Sequence, residues 1–270
     1  MKYRLIAGAV MALSLATPML HAQQPAAAPA SAPAAPAAAP AAPAAPAADA
    51  VNAGAIQALK DMGAFLQTLK RYHVGTDLTG EVVLADGQKL QHSAHADIDV
   101  QRPSKLRARM FSARSEREIY ADGKVATMFL PDQNYYSTVD FTGSVDELVT
   151  KLKERYNVEI PLADLFLWGT PAAPLDKIDS AMNAGQDFIG SDLCNHFAFR
   201  QGDYDWQIWI SANGKPLPRK LVIINRADDA RPQSVSTINW NLSPGFNDAV
   251  FTFVPPKGAT KVKLHELDAK

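Results

Sequence analysis

The stretch CNHFAFRQGDYDWQIWI, residues 194–210, puts the only cysteine of the chain two residues before a histidine and close to several aspartates. A cysteine nucleophile needs a base in hydrogen-bond reach and a third group to orient that base. On a strand, Cys194 and His196 project from one face with Cβ atoms about 7 Å apart, which is long for direct contact. Asp192 precedes them and Asp203 or Asp205 can return beside them. A Cys194–His196 hydrolase therefore stays open beside the ordinary reading, a small buried cysteine next to a histidine bonded across strands. A second group, His92, His95 and Asp97, has the side chains of a metal site. Strand alternation separates it: His92 falls with Leu90 and Ala94, opposite His95 and Asp97, so three ligands do not converge and no metal is expected. His73 and His265 have no partners nearby in sequence. No glycine-rich phosphate loop, serine-centred elbow or two-histidine helical motif occurs, and no cofactor is expected.

The large apolar side chains carry a stronger pattern. Trp206, Ile208 and Ile210 share one strand face while Trp209 joins Asp205 and Gln207 on the other. Phe197 and Phe199 share a face, as do Phe251 and Phe253, and Ile238 and Trp240. Aromatics on successive strands either line a cavity for an acyl chain or fill a core under helices; pockets of the first kind are lined mainly by apolar groups.

The elements that must position these residues follow from periodicity. Ile56, Leu59, Met62, Phe65, Leu66 and Leu69 recur at helical spacing and predict an amphipathic helix over 55–73. The period then becomes two, with a strand through Leu78, Val82 and Leu84 and a tight turn at Asp86-Gly87. Leu90, Ala94, Ala96, Ile98 and Val100 form the dry face of the next strand, and residues 101–104 turn the chain into a strand bearing Lys105, Arg107 and Arg109. Paired as a hairpin, Asp97 and Asp99 lie opposite or diagonal to those bases. Further strands are predicted at 115–121, 124–130 and 134–140. Ser144 and Glu147 form a capping box opening a helix through Tyr156. Pro161 starts a short apolar helix, and a third runs from Leu175 to Ala184, stopped by Gly185. Strands resume at 188–190, 194–200, 205–211, 219–226, 234–242 and 250–254. This count predicts an α+β fold: a large, curved antiparallel sheet, or incomplete β-barrel, whose concave apolar face is covered by the helices of 55–73 and 144–184.

The N-terminal part reads differently. Lys2 and Arg4 precede the apolar run Leu5–Leu15, and Ala22 closes a segment with the form of a secretory signal peptide. Residues 23–50 are an Ala/Pro-rich spacer without a side chain large enough to bury. Residues 51–270 then make one domain. No cysteine lies near the cut, so the exported chain is expected to be unlipidated, in the periplasm or secreted. A net charge of −1 gives no reason to expect nucleic acid or an anionic membrane surface as a partner. One cysteine cannot form an internal disulfide, so stability must come from the core. No later apolar run is long enough to cross a bilayer. The loop with two prolines that precedes the 219–226 strand, and the lysine-rich stretch 254–270, are surface segments able to meet a partner.

The blocks IPLADLFLW, IGSDLCNHFAFR, DWQIWI, KPLPRKLVI and FTFVPPKGA occur in order, and over roughly residues 51–262 the chain resembles a family of predicted periplasmic proteins of unknown function. That family is similar in fold to the lipoprotein-carrier superfamily of LolA, LolB and LppX, a curved half-barrel over helices enclosing an apolar cavity. The resemblance implies a non-enzymatic binder of a lipid or lipoprotein acyl chain in the cell envelope. It supplies no catalytic residue. Leu165 and Trp168 on the covering segment, with Phe197, Phe199, Trp206, Ile208 and Ile238 on the sheet, are the residues expected to line such a cavity. The alternative is a structural or interaction module with a solid core and an envelope protein partner.

Overall fold

The computed structural model describes residues 50–266; the expected signal peptide and nearly all of the spacer lie outside the described residues. Helix α1 (Ala53–Thr68) is followed by β1 (Arg71–Val83), β2 (Lys89–Gln101), β3 (Lys105–Phe111), β4 (Glu116–Ala121), β5 (Val125–Leu130) and β6 (Tyr135–Asp140). Helices α2 (Val145–Tyr156) and α3 (Asp164–Leu167) intervene. Then come β7 (Ser180–Ile189), β8 (Asp192–Gln201), β9 (Tyr204–Ser211), β10 (Pro218–Asn225), β11 (Gln233–Asn241) and the two-residue β12 (Thr260–Lys261). All twelve strands belong to one open sheet in the order β12-β6-β5-β4-β3-β2-β1-β11-β10-β9-β8-β7. Of these strands only β12 pairs in parallel. The α+β class, with a large open antiparallel sheet and few helices, is as the alternation predicts.

Asn52 opens α1, its side chain accepting the Ala55 N–H at 2.9 Å. The helix buries Leu59, Met62 and Leu66, each worth about 1.5–3 kcal/mol when removed from water. It ends at Thr68, five residues short of the expected boundary. Leu69, Tyr72 and His73 fit a helical stripe, but Tyr72, Val74 and Thr76 also alternate inward. The strand prevails because Arg71 onward pairs with β2 from Gln101 back, with Tyr72 opposite Val100 and Val74 opposite Ile98.

The hairpin of β2 and β3 has the expected register, with Asp97 opposite Arg109 and Asp99 opposite Arg107. Helix α2 opens on the capping box of Ser144 and Glu147. Two expectations fail. Leu175–Ala184 is no helix: a single 3₁₀ turn, Leu175–Lys177, leads into β7, which gains a full ladder with β8. Gly185, at φ +99°, marks the register shift in that ladder rather than a helix stop. Nor is 250–254 a strand. Asp248–Phe251 is a 3₁₀ turn, and Pro255-Pro256, lacking N–H donors, cannot extend a ladder. Phe251 and Phe253 therefore share no strand face: Phe251 is buried and Phe253 rests against Tyr120, Phe129 and Tyr136.

One sheet face is apolar. Tyr72, Val74, Ile98, Val100, Leu106, Ile119, Phe197, Trp206 and Ile238 form a single cluster with the buried faces of α1, α2 and α3. The other face is charged, with Asp97 and Asp99, Arg107 and Arg109, and Glu116 and Glu118 on adjacent strands. It also carries a small apolar cluster, Cys194, Trp209 and Val222, and the aromatic group of Tyr120, Phe129 and Tyr136 around Phe253.

Candidate apolar binding site

The structure gathers the seven expected residues into the covered-face cluster, where their exposures run from 1% for Ile208 and Ile238 to 8% for Trp206. Phe199 pairs with Trp206 and Phe197 with Ile208 across the β8–β9 ladder. The Phe199 and Trp206 rings stack at 4.2 Å, and Trp168 comes down from the segment after α3 to meet Trp206 at 5.9 Å. Leu165 stands over a different part of the wall, with Leu66, Tyr72, Val74, Ile98 and Trp240. The gap beside Leu165 among these residues is about 10 Å³, room for one water at most.

Two close contacts join α1 to the segment after α3. Gln67 Nε2 donates to the carbonyls of Trp168 at 2.8 Å and Phe166 at 3.4 Å. Gly63 of α1 lies against Gly169, so that a Cβ on Gly63 would sit 2.5 Å from the Gly169 nitrogen. Only glycine allows this approach, and Gly169 is also held at φ +82°. Between α2 and Leu167–Ala172 an open hollow of about 480 Å³ is lined by Asp146, Thr150, Lys151 and Arg155 among others.

Three polar groups stand at this apolar wall. Thr76 Oγ1, beside Ile238 and Ala96 in register, is buried without a hydrogen-bond partner. Tyr72 is 4% exposed. Burial pushes its phenol up to about 12, opposed by the adjacent Arg102 guanidinium. Arg102 itself has Nε and Nη2 buried and unpartnered. Sequence reasoning missed Tyr72, Val74 and Arg102 as members of the site. The period-two run 72–76 was the available signal for the first two; nothing local in the sequence marks Arg102 as inward.

The Cys194–His196 pair assembles nothing nucleophilic. Cys194 is fully buried on the charged face, its thiol directed to the Asp192 carbonyl at 3.5 Å. Burial and then the Asp192 carboxylate push its pKa up. His196 stacks on Trp209 at 4.0 Å, with Nε2 on Gln207 at 2.9 Å and Nδ1 3.4 Å from Asp187. Both ring nitrogens are engaged away from sulfur. His92, as expected, parts from His95: it meets Arg114, while His95 lies between Asp77 at 2.9 Å and Asp97 at 3.4 Å. His73, without partners in the linear reading, gains Asp99 at 2.8 Å once it joins β1. Among the described residues no cluster of His, Cys, Asp or Glu is arranged to hold a metal ion, and no helix is long and apolar enough to cross a membrane.

A family model described as "Predicted periplasmic protein (DUF2092)" matches residues 55–265. No curated protein matches the chain. Among solved structures it is similar to an uncharacterized conserved protein from Thermus thermophilus, at 11% identity, 78% coverage of this chain, 99% of the other and TM-score 0.47. It is also similar to lipoprotein LppX from Mycobacterium tuberculosis, at 15% identity, 71% and 96% coverage and TM-score 0.45. LprF from Mycobacterium bovis matches at 15% identity, 78% and 100% coverage and TM-score 0.44. The strand order and register define the architecture independently of these likenesses.

Proposed function

Because this chain belongs to the DUF2092 family of predicted periplasmic proteins, we propose that it is exported by its N-terminal segment, is not lipidated, and binds an apolar chain of a lipid or lipoprotein between its sheet and its covering helices. The reading is of a binder rather than an enzyme. The observation that supports it is the apolar wall running from Trp206 to Tyr72 beneath a covering segment, residues 157–179, whose only α-helix, α3, has four residues. Leu165, Trp168, Phe197, Phe199, Trp206, Ile208 and Ile238 would line the ligand once that segment lifts. The energetics permit this. A sixteen-carbon chain transferred from water gains about 12 kcal/mol gross at ~0.8 kcal/mol per methylene. Exposing Leu165 and Phe166 costs about 1.5–3 kcal/mol each, with Trp168 at least as much.

The small size of the gap beside Leu165 favours a second reading, an envelope interaction module with a solid core. Native mass spectrometry and lipid extraction of the protein purified from the periplasm separate the two. Stoichiometric lipid supports the binder, and a bare protein mass supports the module. Trp206→Glu should abolish retention; a folded variant that keeps as much lipid as the parent would sink this assignment.

A further inference from the structure

We infer that Arg102 anchors the anionic head of an amphiphile whose hydrocarbon tail lies against Tyr72, Val74, Ile98, Leu165 and Trp240. The inference rests on the apolar-binding reading above and specifies its ligand class.

Arg102 occupies the β2–β3 turn, which is pinned from both sides. Its backbone N–H donates to the Lys70 carbonyl at 2.8 Å, and the Pro103 carbonyl accepts the Val145 N–H of α2 at 2.8 Å. The side chain is only 9% exposed; its Nη1 makes a long ion pair with Asp146 at 3.8 Å, beyond hydrogen-bond distance, and the guanidinium also bonds the Tyr72 hydroxyl. Nε and Nη2 are buried without any acceptor. These two nitrogens share one edge of the planar guanidinium, the edge that meets two oxygens of a carboxylate or phosphate at once. A permanently charged group buried with that edge empty is costly unless an anion completes it.

The surroundings give the anion a tail. Tyr72, beside the guanidinium, forms one wall of the small apolar pocket under Leu165. On the other side, Asp146 borders the open hollow along α2. The guanidinium thus stands between an apolar recess and an opening to solvent, the order of parts an amphiphile presents. Tyr72 offers its hydroxyl as a further donor, since burial keeps the phenol protonated.

Laurate, dodecyl phosphate and 1-dodecanol, added to the delipidated full chain at neutral pH and followed by titration calorimetry, test the inference at constant tail length. At least one anion should bind ten-fold or more tightly than dodecanol, and the tighter of the two identifies the head as carboxylate or phosphate. Arg102→Met should bring both anions to the level at which that variant binds dodecanol. Should that variant not fold, Arg102→Lys, which keeps the charge and loses the two-point edge, should cut the preference at least three-fold. Equal binding of all three by the parent, or an undiminished preference in the variant that folds, overturns the inference and leaves the binding reading intact. No binding of any of the three overturns both.

Discussion

A thiol that is out of solvent, directed to a carbonyl and shifted toward its protonated form has no route to act as a nucleophile, which is the position of Cys194. Cys194→Ala should cost about 1 kcal/mol of packing and change nothing else. In the folded protein a thiol reagent should react only at the rate of unfolding; prompt labelling would contradict the burial. The histidines of the charged face make a pH prediction. Asp99 raises the pKa of His73, and Asp77 that of His95, above the usual 6.5. Both therefore bind a proton more tightly folded than unfolded. The stability they add is fully present below about pH 6.5 and is lost as pH climbs through the raised folded values. The melting temperature of His73→Gln/His95→Gln should fall furthest below the parent near about pH 5.5 and converge with it near about pH 9. A gap that widens with pH would refute this pairing. The Asp97–Arg109 and Asp99–Arg107 register was legible beforehand because hydrophobic alternation and charge agree on it. The partners of His73 were not, because the same residues fit a helical stripe until the β1–β2 ladder decides.

At the scale of elements, the joint of α1 with the segment after α3 depends on two glycines meeting backbone to backbone. Gly63→Ala places a methyl 2.5 Å from the Gly169 nitrogen, so the covering layer must shift. An expected loss of about 1–3 kcal/mol can be read from urea unfolding; an unchanged midpoint would show that the layer is not held there. Ser144→Ala removes the capping box of α2 and should cost about 0.5–2 kcal/mol. That box was readable as Ser-x-x-Glu, since capping is a local interaction. The close approach of Gly63 to Gly169 was not readable, because it joins residues far apart in the chain. The same distinction accounts for 175–184, where a helical spacing of apolar residues yields to the ladder with β8.

For the whole molecule, the single large cluster reaches from β5 to β7 and takes in α1, α2 and α3. Unfolding should be one cooperative transition, with tryptophan fluorescence and far-ultraviolet circular dichroism giving the same midpoint in urea; separate midpoints would divide the cluster. The open sheet was legible from period-two runs between turn signals. What was not legible is that β1, first in the chain, lies at the centre of the sheet, since periodicity names faces and never neighbours.

That central place has a consequence in time. Strands β1–β6 pair in sequence order and can zip as the chain emerges, and β7–β11 form a second ribbon of the same kind. The two ribbons meet only where β1 joins β11, with His73 opposite Asn241 and Gly80 opposite Ser234. Until β11 arrives, the first ribbon shows an unpaired edge along β1 and an apolar face with little cover, and such exposure draws in other chains. Dilution, or a chaperone able to hold an extended edge, is what should raise the yield of folded protein.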